Sequence, residues 1–168
     1  MSGPPVSSAG TGSDRVEPSP VLPEYEGGCL SGVVPALFSG LAGEPDPASW
    51  IPAPVQGASQ VVLLVLDGLG WHQLQAFARS APTLTSATGG PITSVVPTTT
   101  ATALTSLTTG SAPSVHGIVG YRLRVQVAGH TPDGPGEVMN VLRWRTGRGD
   151  MRRQIPAPEF QPVQPFGG

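Results

Sequence analysis

A chain of 168 residues is long enough to bury a core of its own, and one domain is the natural expectation. Gly (23) and Pro (20) are abundant and only 12% of residues are charged, against roughly 25% in an average globular protein, so loops belong at the ends and structure in the middle. The net charge of -2 gives no global pull toward nucleic acid, and the longest aliphatic run is too short to span a bilayer.

In chain order, residues 1–20 are Ser, Gly and Pro rich and read as a disordered tail. No basic stretch leads into an apolar one there, so no secretory signal is expected and a cytoplasmic location is the default. Cys29 is the lone cysteine and reads as a small, partly buried side chain. Leu30, Val33, Val34, Leu37, Phe38 and Leu41 have the spacing of an amphipathic helix, provided it begins near Pro35. Residues 45–57 form a Pro-rich connector.

Val61 to Leu66 is aliphatic without alternation, the pattern of a strand buried on both faces of a parallel sheet. It stops at Asp67-Gly68, where the strand leaves the sheet and ligands gather in open α/β folds. Trp71, Leu74, Phe77 and Ala78 read as a crossover helix, and Ile92 to Val96 as a second parallel strand ended by Pro97. A helix starting near Thr99 or Thr100 follows, carried by Ala101, Leu104 and Leu107 and stopped by Thr109-Gly110. Its start offers free backbone N–H groups to a phosphate with a hydroxyl among them. The helix dipole contributes only about 0.3 to 1 kcal/mol, far too little to ionise an alcohol, whereas a bound divalent metal can lower the pKa of ligated water from about 15.7 to roughly 7. Asp67 is the first candidate ligand.

Beyond the loop motif His116-Gly117, the stretch Tyr121 to Val127 alternates apolar and polar residues as a half-exposed strand does. Pro132-Asp133-Gly134 predicts a turn, and Glu137 to Trp144 a returning partner. Arg122, Arg124, Arg143, Arg145, Arg148, Arg152 and Arg153 cluster here; a solvated strand face is preferred to a phosphate-attracting rim. Residues 154–168 read as an extended, unpaired Pro-rich tail. His72 reads as a surface or packing residue, His130 lies in a turn, and His116 reads as a structural hydrogen-bonding histidine.

Taken together, Asp67-Gly68-Leu69-Gly70, Pro97-Thr98-Thr99-Thr100, Thr109-Gly110, Pro113 and His116-Gly117-Ile118-Val119-Gly120 resemble the alkaline phosphatase superfamily, above all its nucleotide pyrophosphatase/phosphodiesterase branch. The resemblance implies an α/β fold with a sheet flanked by helices, residues 21–153 being the N-terminal part of the catalytic domain. It implies two divalent metals, zinc by family habit, with Asp67 ligating one of them. It further implies a phosphate ester or nucleotide substrate and a threonine that attacks phosphorus nine residues before the Thr-Gly pair. Counting back from Thr109 gives Thr100, with Thr98 and Thr99 the competing choices that only the spacing sets aside; Thr100 would also touch metal. Gly68, Thr109, Gly110, His116 and Gly117 are the structural part of the motif.

Two departures accompany the resemblance. The further Asp and His ligands of the family have no counterpart after Tyr121, where the acids are Asp133, Glu137, Asp150 and Glu159 and the histidine is His130. Tyr121 stands where the family commonly places a phosphate-binding Asn. Two readings follow: an enzyme that works through a phosphothreonine in a longer parent chain, or a degenerate, non-catalytic fragment able at most to hold an anion. No nucleic-acid-binding module is expected.

Overall fold

A computed structural model describes residues 20–44, 48–127 and 134–166. The N-terminal tail up to Ser19, Asp46, His130 and the Pro132-Asp133 part of the expected turn lie outside the described residues.

A 3-10 turn at Leu30–Gly32 leads into α1 (Val33–Ala42), with Pro35 in its first turn, where its missing N–H breaks no bond. Short helices follow: α2 (Trp71–Ala76), α3 (Pro82–Thr85), α4 (Thr100–Thr109) and α5 (Pro113–His116). The C-terminal third is a meander of β1 (Arg122–Val125), β2 (Glu137–Asn140), β3 (Arg145–Thr146) and β4 (Gly149–Asp150), each antiparallel to the next. α6 (Ala157–Phe160) closes the chain. Helices with a four-stranded antiparallel sheet agree with a partial α/β alkaline-phosphatase-like fold.

The main core lies between α4, the segment after α5 and the inner face of the sheet. Ala101, Ile118, Val125, Val127, Met139, Val141 and Met151 are buried together, with Leu123, Trp144, Ile155 and Phe160 packed against them. The strand alternation is realised directly. Leu123 and Val125 turn inward on β1 and Met139 on β2, while Arg122, Arg124 and Val138 face out.

The two parallel strands expected upstream do not form. Val61 to Leu66 makes no ladder, and Val62 is 93% exposed. Near Ile92 to Val96 the pairing is a single parallel bridge from Cys29 to Thr93. An aliphatic run with no polar face requires cover on both sides. Among the described residues the cover is one-sided: Leu64 to Leu66 face an open cavity of about 710 Å³ shared with Ile92, Leu104 and Leu107.

The end of the chain differs from expectation as well. Beyond Gln154 it is docked rather than extended. The Trp144 indole donates to the Ile155 carbonyl at 2.7 Å and meets the Phe160 ring edge-on, and the Phe166 N–H donates to Thr108 O at 2.8 Å. Aromatic burial offsets the ordering of a Pro-rich segment.

Phe166 also explains the stop of α4. Gly110 ends the helix at φ 66°, and a Cβ added there would lie 2.9 Å from the Phe166 ring and from Pro35 Cγ. Gly110→Ala combines left-handed strain of about 1–2 kcal/mol with that overlap, so urea unfolding should give a destabilisation near 2 kcal/mol. The same substitution at Gly117, where the added Cβ meets nothing within 4 Å, should cost only the strain.

Candidate functional site

Pro97 ends the extended segment, Thr99 stands before the helix in β conformation, and Thr100 is the first residue of α4. The Thr99 side chain does not cap the helix. Its Oγ1 instead lies 2.9 Å from Thr102 Oγ1, which leaves the first amides of α4 without a side-chain acceptor from the cap position. Thr100 is different: its hydroxyl donates to Asp67 Oδ2 at 2.9 Å, across 33 residues of sequence.

Asp67 reaches that position through a tight turn. Leu69 N–H donates to Leu66 O at 3.2 Å and Gly68 adopts φ 79°, a conformation costly for any residue with a Cβ. The carboxylate is exposed and opens onto the cavity described above, which Thr98, Ser94 and Trp71 also line. Of the three threonines in the run, Thr100 has its hydroxyl on the carboxylate, Thr99 has its own turned to Thr102, and Thr98 lines the cavity wall.

Residues 61–137 match the family model described as type I phosphodiesterase / nucleotide pyrophosphatase, somewhat under half of the chain. This segment is similar to the type I phosphodiesterase and nucleotide pyrophosphatase family. No curated protein and no solved structure matches the chain. The matched segment contains Asp67, α4 and the His116 loop, so the geometry above lies within the phosphodiesterase-like region.

Metals of the kind that family uses do not fit the described residues around Asp67. Asp67 and Thr100 supply one carboxylate and one hydroxyl, and no group of three or more His, Cys, Asp or Glu side chains with metal-binding geometry occurs among the described residues. Zinc takes three or four protein ligands. His72 is exposed and belongs to no such group.

His116 is buried, at 2% exposure, and hydrogen-bonded through both ring nitrogens. The Ile118 N–H donates to Nδ1 at 3.1 Å, so Nδ1 carries no proton, and Nε2 must be the nitrogen that donates to Ser106 Oγ at 2.8 Å. The ring is therefore a neutral clamp joining the middle of α4 to the loop after α5. Burial lowers its pKa from the ordinary 6.5 and outweighs its backbone hydrogen bond, which acts in the opposite direction. Thr109 is buried too and donates to Thr105 O at 2.7 Å, while Gly117 ends α5 at φ 75°.

Tyr121 does not line the Asp67 cavity. Its hydroxyl accepts from Asn140 Nδ2, and its ring lies under the Arg122 guanidinium. Ser106 and Asn140 are the residues that sequence reasoning passes over. Ser106 falls on the inner side of α4 among apolar neighbours, a signal that it needs a buried partner, and Asn140 ends β2 at a position suited to an Asx turn. No helix among the described residues is long and apolar enough to cross a membrane.

Proposed function

We propose that the Asp67–Thr100 pair is the nucleophile end of a phosphoester-hydrolysing site, and that the chain taken alone holds a phosphate ester there without turning it over. The observation that carries the first half is the 2.9 Å hydrogen bond from Thr100 Oγ1 to Asp67 Oδ2 at the start of α4. In the reaction Thr100 Oγ1 bonds to phosphorus as the bond to the leaving oxygen breaks, and the threonine proton passes to Asp67. Free amides at the helix start take up the charge on the other phosphate oxygens. A phosphothreonine results, which water hydrolyses.

The second half follows from magnitudes. The helix end contributes about 2 kcal/mol at best, and about 1.36 kcal/mol moves a pKa by one unit, so the alcohol stays un-ionised beside Asp67 alone. Among the described residues the ligand set is too small to hold the ion that would change this. Calorimetric titration with zinc should therefore show no tight two-site isotherm, and bis(p-nitrophenyl) phosphate should be cleaved no faster than background. A stoichiometric two-metal isotherm with turnover that Thr100→Ala abolishes would overturn the non-catalytic half and leave the nucleophile in place. Turnover that survives Thr100→Ala undiminished would remove Thr100 from the role.

A further inference from the structure

All nine cationic residues of the chain are arginine, and seven of them fall between positions 122 and 153. The sheet orders them. Arg122 pairs with Asn140 across β1 and β2, and Asn140 pairs with Arg145 across β2 and β3, so the three form one row over three strands. Directly paired residues share a face. Here it is the outer face, because Val125 and Met139 occupy the inner one. Strands stand about 4.8 Å apart, which places the two arginine stems roughly 10 Å apart with Asn140 between them.

Arg143 approaches from the turn after β2, and the group encloses a depression of about 330 Å³ that Thr146 and Val138 complete. Its floor is fixed. Asn140 Oδ1 accepts the backbone N–H groups of Leu142 and Arg143, each at 3.1 Å, and Asn140 Nδ2 donates to Tyr121. The Arg122 guanidinium lies 5.9 Å from the Tyr121 ring centroid. The nearby carboxylates are engaged: Glu137 pairs with Arg148 and Asp150 with Arg152. Asp150 also stands opposite Arg145, and its pKa is lowered, first by the Arg152 backbone N–H and further by the charges of Arg152 and Arg145. Neither Arg122 nor Arg143 has a carboxylate partner among the described residues.

We propose that the Arg122–Asn140–Arg145 row with Arg143 is a binding site for the diphosphate group of a small molecule, separate from the Thr100 site. A guanidinium fork matches phosphoryl oxygens two at a time, a geometry that an ammonium cannot reproduce. A diphosphate group carries roughly three negative charges at neutral pH, since each phosphoryl holds one to two, and three arginines face the depression. The volume suits a compact ligand rather than a polymer groove. This cavity and the one beside Asp67 share no lining residue.

Inorganic pyrophosphate in metal-free buffer is the probe, read by calorimetry. One equivalent should bind, at least tenfold more weakly in Arg122→Gln and in Arg145→Gln, and with an intermediate loss in Arg145→Lys. Arg79→Gln removes the same charge far along the chain from the row and should bind as the parent does; Thr100→Ala alters the other phosphate site and should keep the equivalent held by the arginine row. Orthophosphate should bind at least tenfold more weakly than pyrophosphate. The proposal is overturned by an absence of saturable binding, by equal losses in Arg79→Gln and Arg145→Gln, or by a loss confined to Thr100→Ala. Circular dichroism identifies any variant that fails to fold, in which case Arg143→Gln, on an exposed side chain, takes its place.

Discussion

Replacing His116 with Ala should destabilise the protein by about 3–5 kcal/mol in urea unfolding. The change opens a cavity where a side chain of 2% exposure stood, and it strands two polar groups, the Ser106 hydroxyl and the Ile118 N–H. Each buried group left without a partner costs about 1–3 kcal/mol, and the cavity adds to this. Ser106→Ala alone should cost less, because it removes one side of a single bond. The double variant should fall well short of the sum, with a coupling of about 1–2 kcal/mol. Additive losses would mean that the Ser106–His116 contact does not hold α4 to its loop.

The same residue gives stability a pH dependence with a definite sign. Burial lowers the folded-state pKa of His116 below 6.5, so the unfolded chain binds a proton more readily than the native one. The contribution is fully present above pH 6.5 and is lost as pH falls from there through the folded value, with a slope of at most about 1.36 kcal/mol per pH unit. Subtracting the curve of His116→Ala from that of the parent isolates it, since His72 and His130 are present in both. Asp150 does not interfere: its pKa is lowered from 3.8, so its own loss of stability begins only in stronger acid.

What the sequence revealed depended on whether the signal was local. α4 was legible because Ala101, Leu104 and Leu107 repeat at helical spacing and Gly110 can take the left-handed stop. β1 was legible from alternation alone. Val61 to Leu66 shows the limit of such reasoning. Its composition states that both faces want cover, but cover is a tertiary property, and the run remains exposed among the described residues. The Asp67–Thr100 contact was foreseen through a sheet that does not form; a turn at Gly68 and the start of α4 bring the two side chains together instead. The arginine row was invisible for a different reason. The cluster is plain in the sequence, yet only the register of β1, β2 and β3 tells which arginines share a face with Asn140.

That division of faces can be tested on two adjacent residues. Met139 is fully buried between the sheet and α4, while its neighbour Val138 is 54% exposed on the outer face. Met139→Ala should cost about 3 kcal/mol, within the 2–5 kcal/mol of large-to-small core substitutions, and should lower the melting temperature by roughly 10 °C for a chain of this size. Met139→Leu keeps the volume and should cost less than about 1.5 kcal/mol. Val138→Ala should change stability by no more than about 0.5 kcal/mol, as at other surface positions. The contrast matters for binding as well as stability, because Met139 anchors from below the strand that carries Asn140 above. A Val138→Ala penalty equal to that of Met139→Ala would place the core on the other side of the sheet, and the arginines of the outer face would then have no common surface on which to meet a ligand.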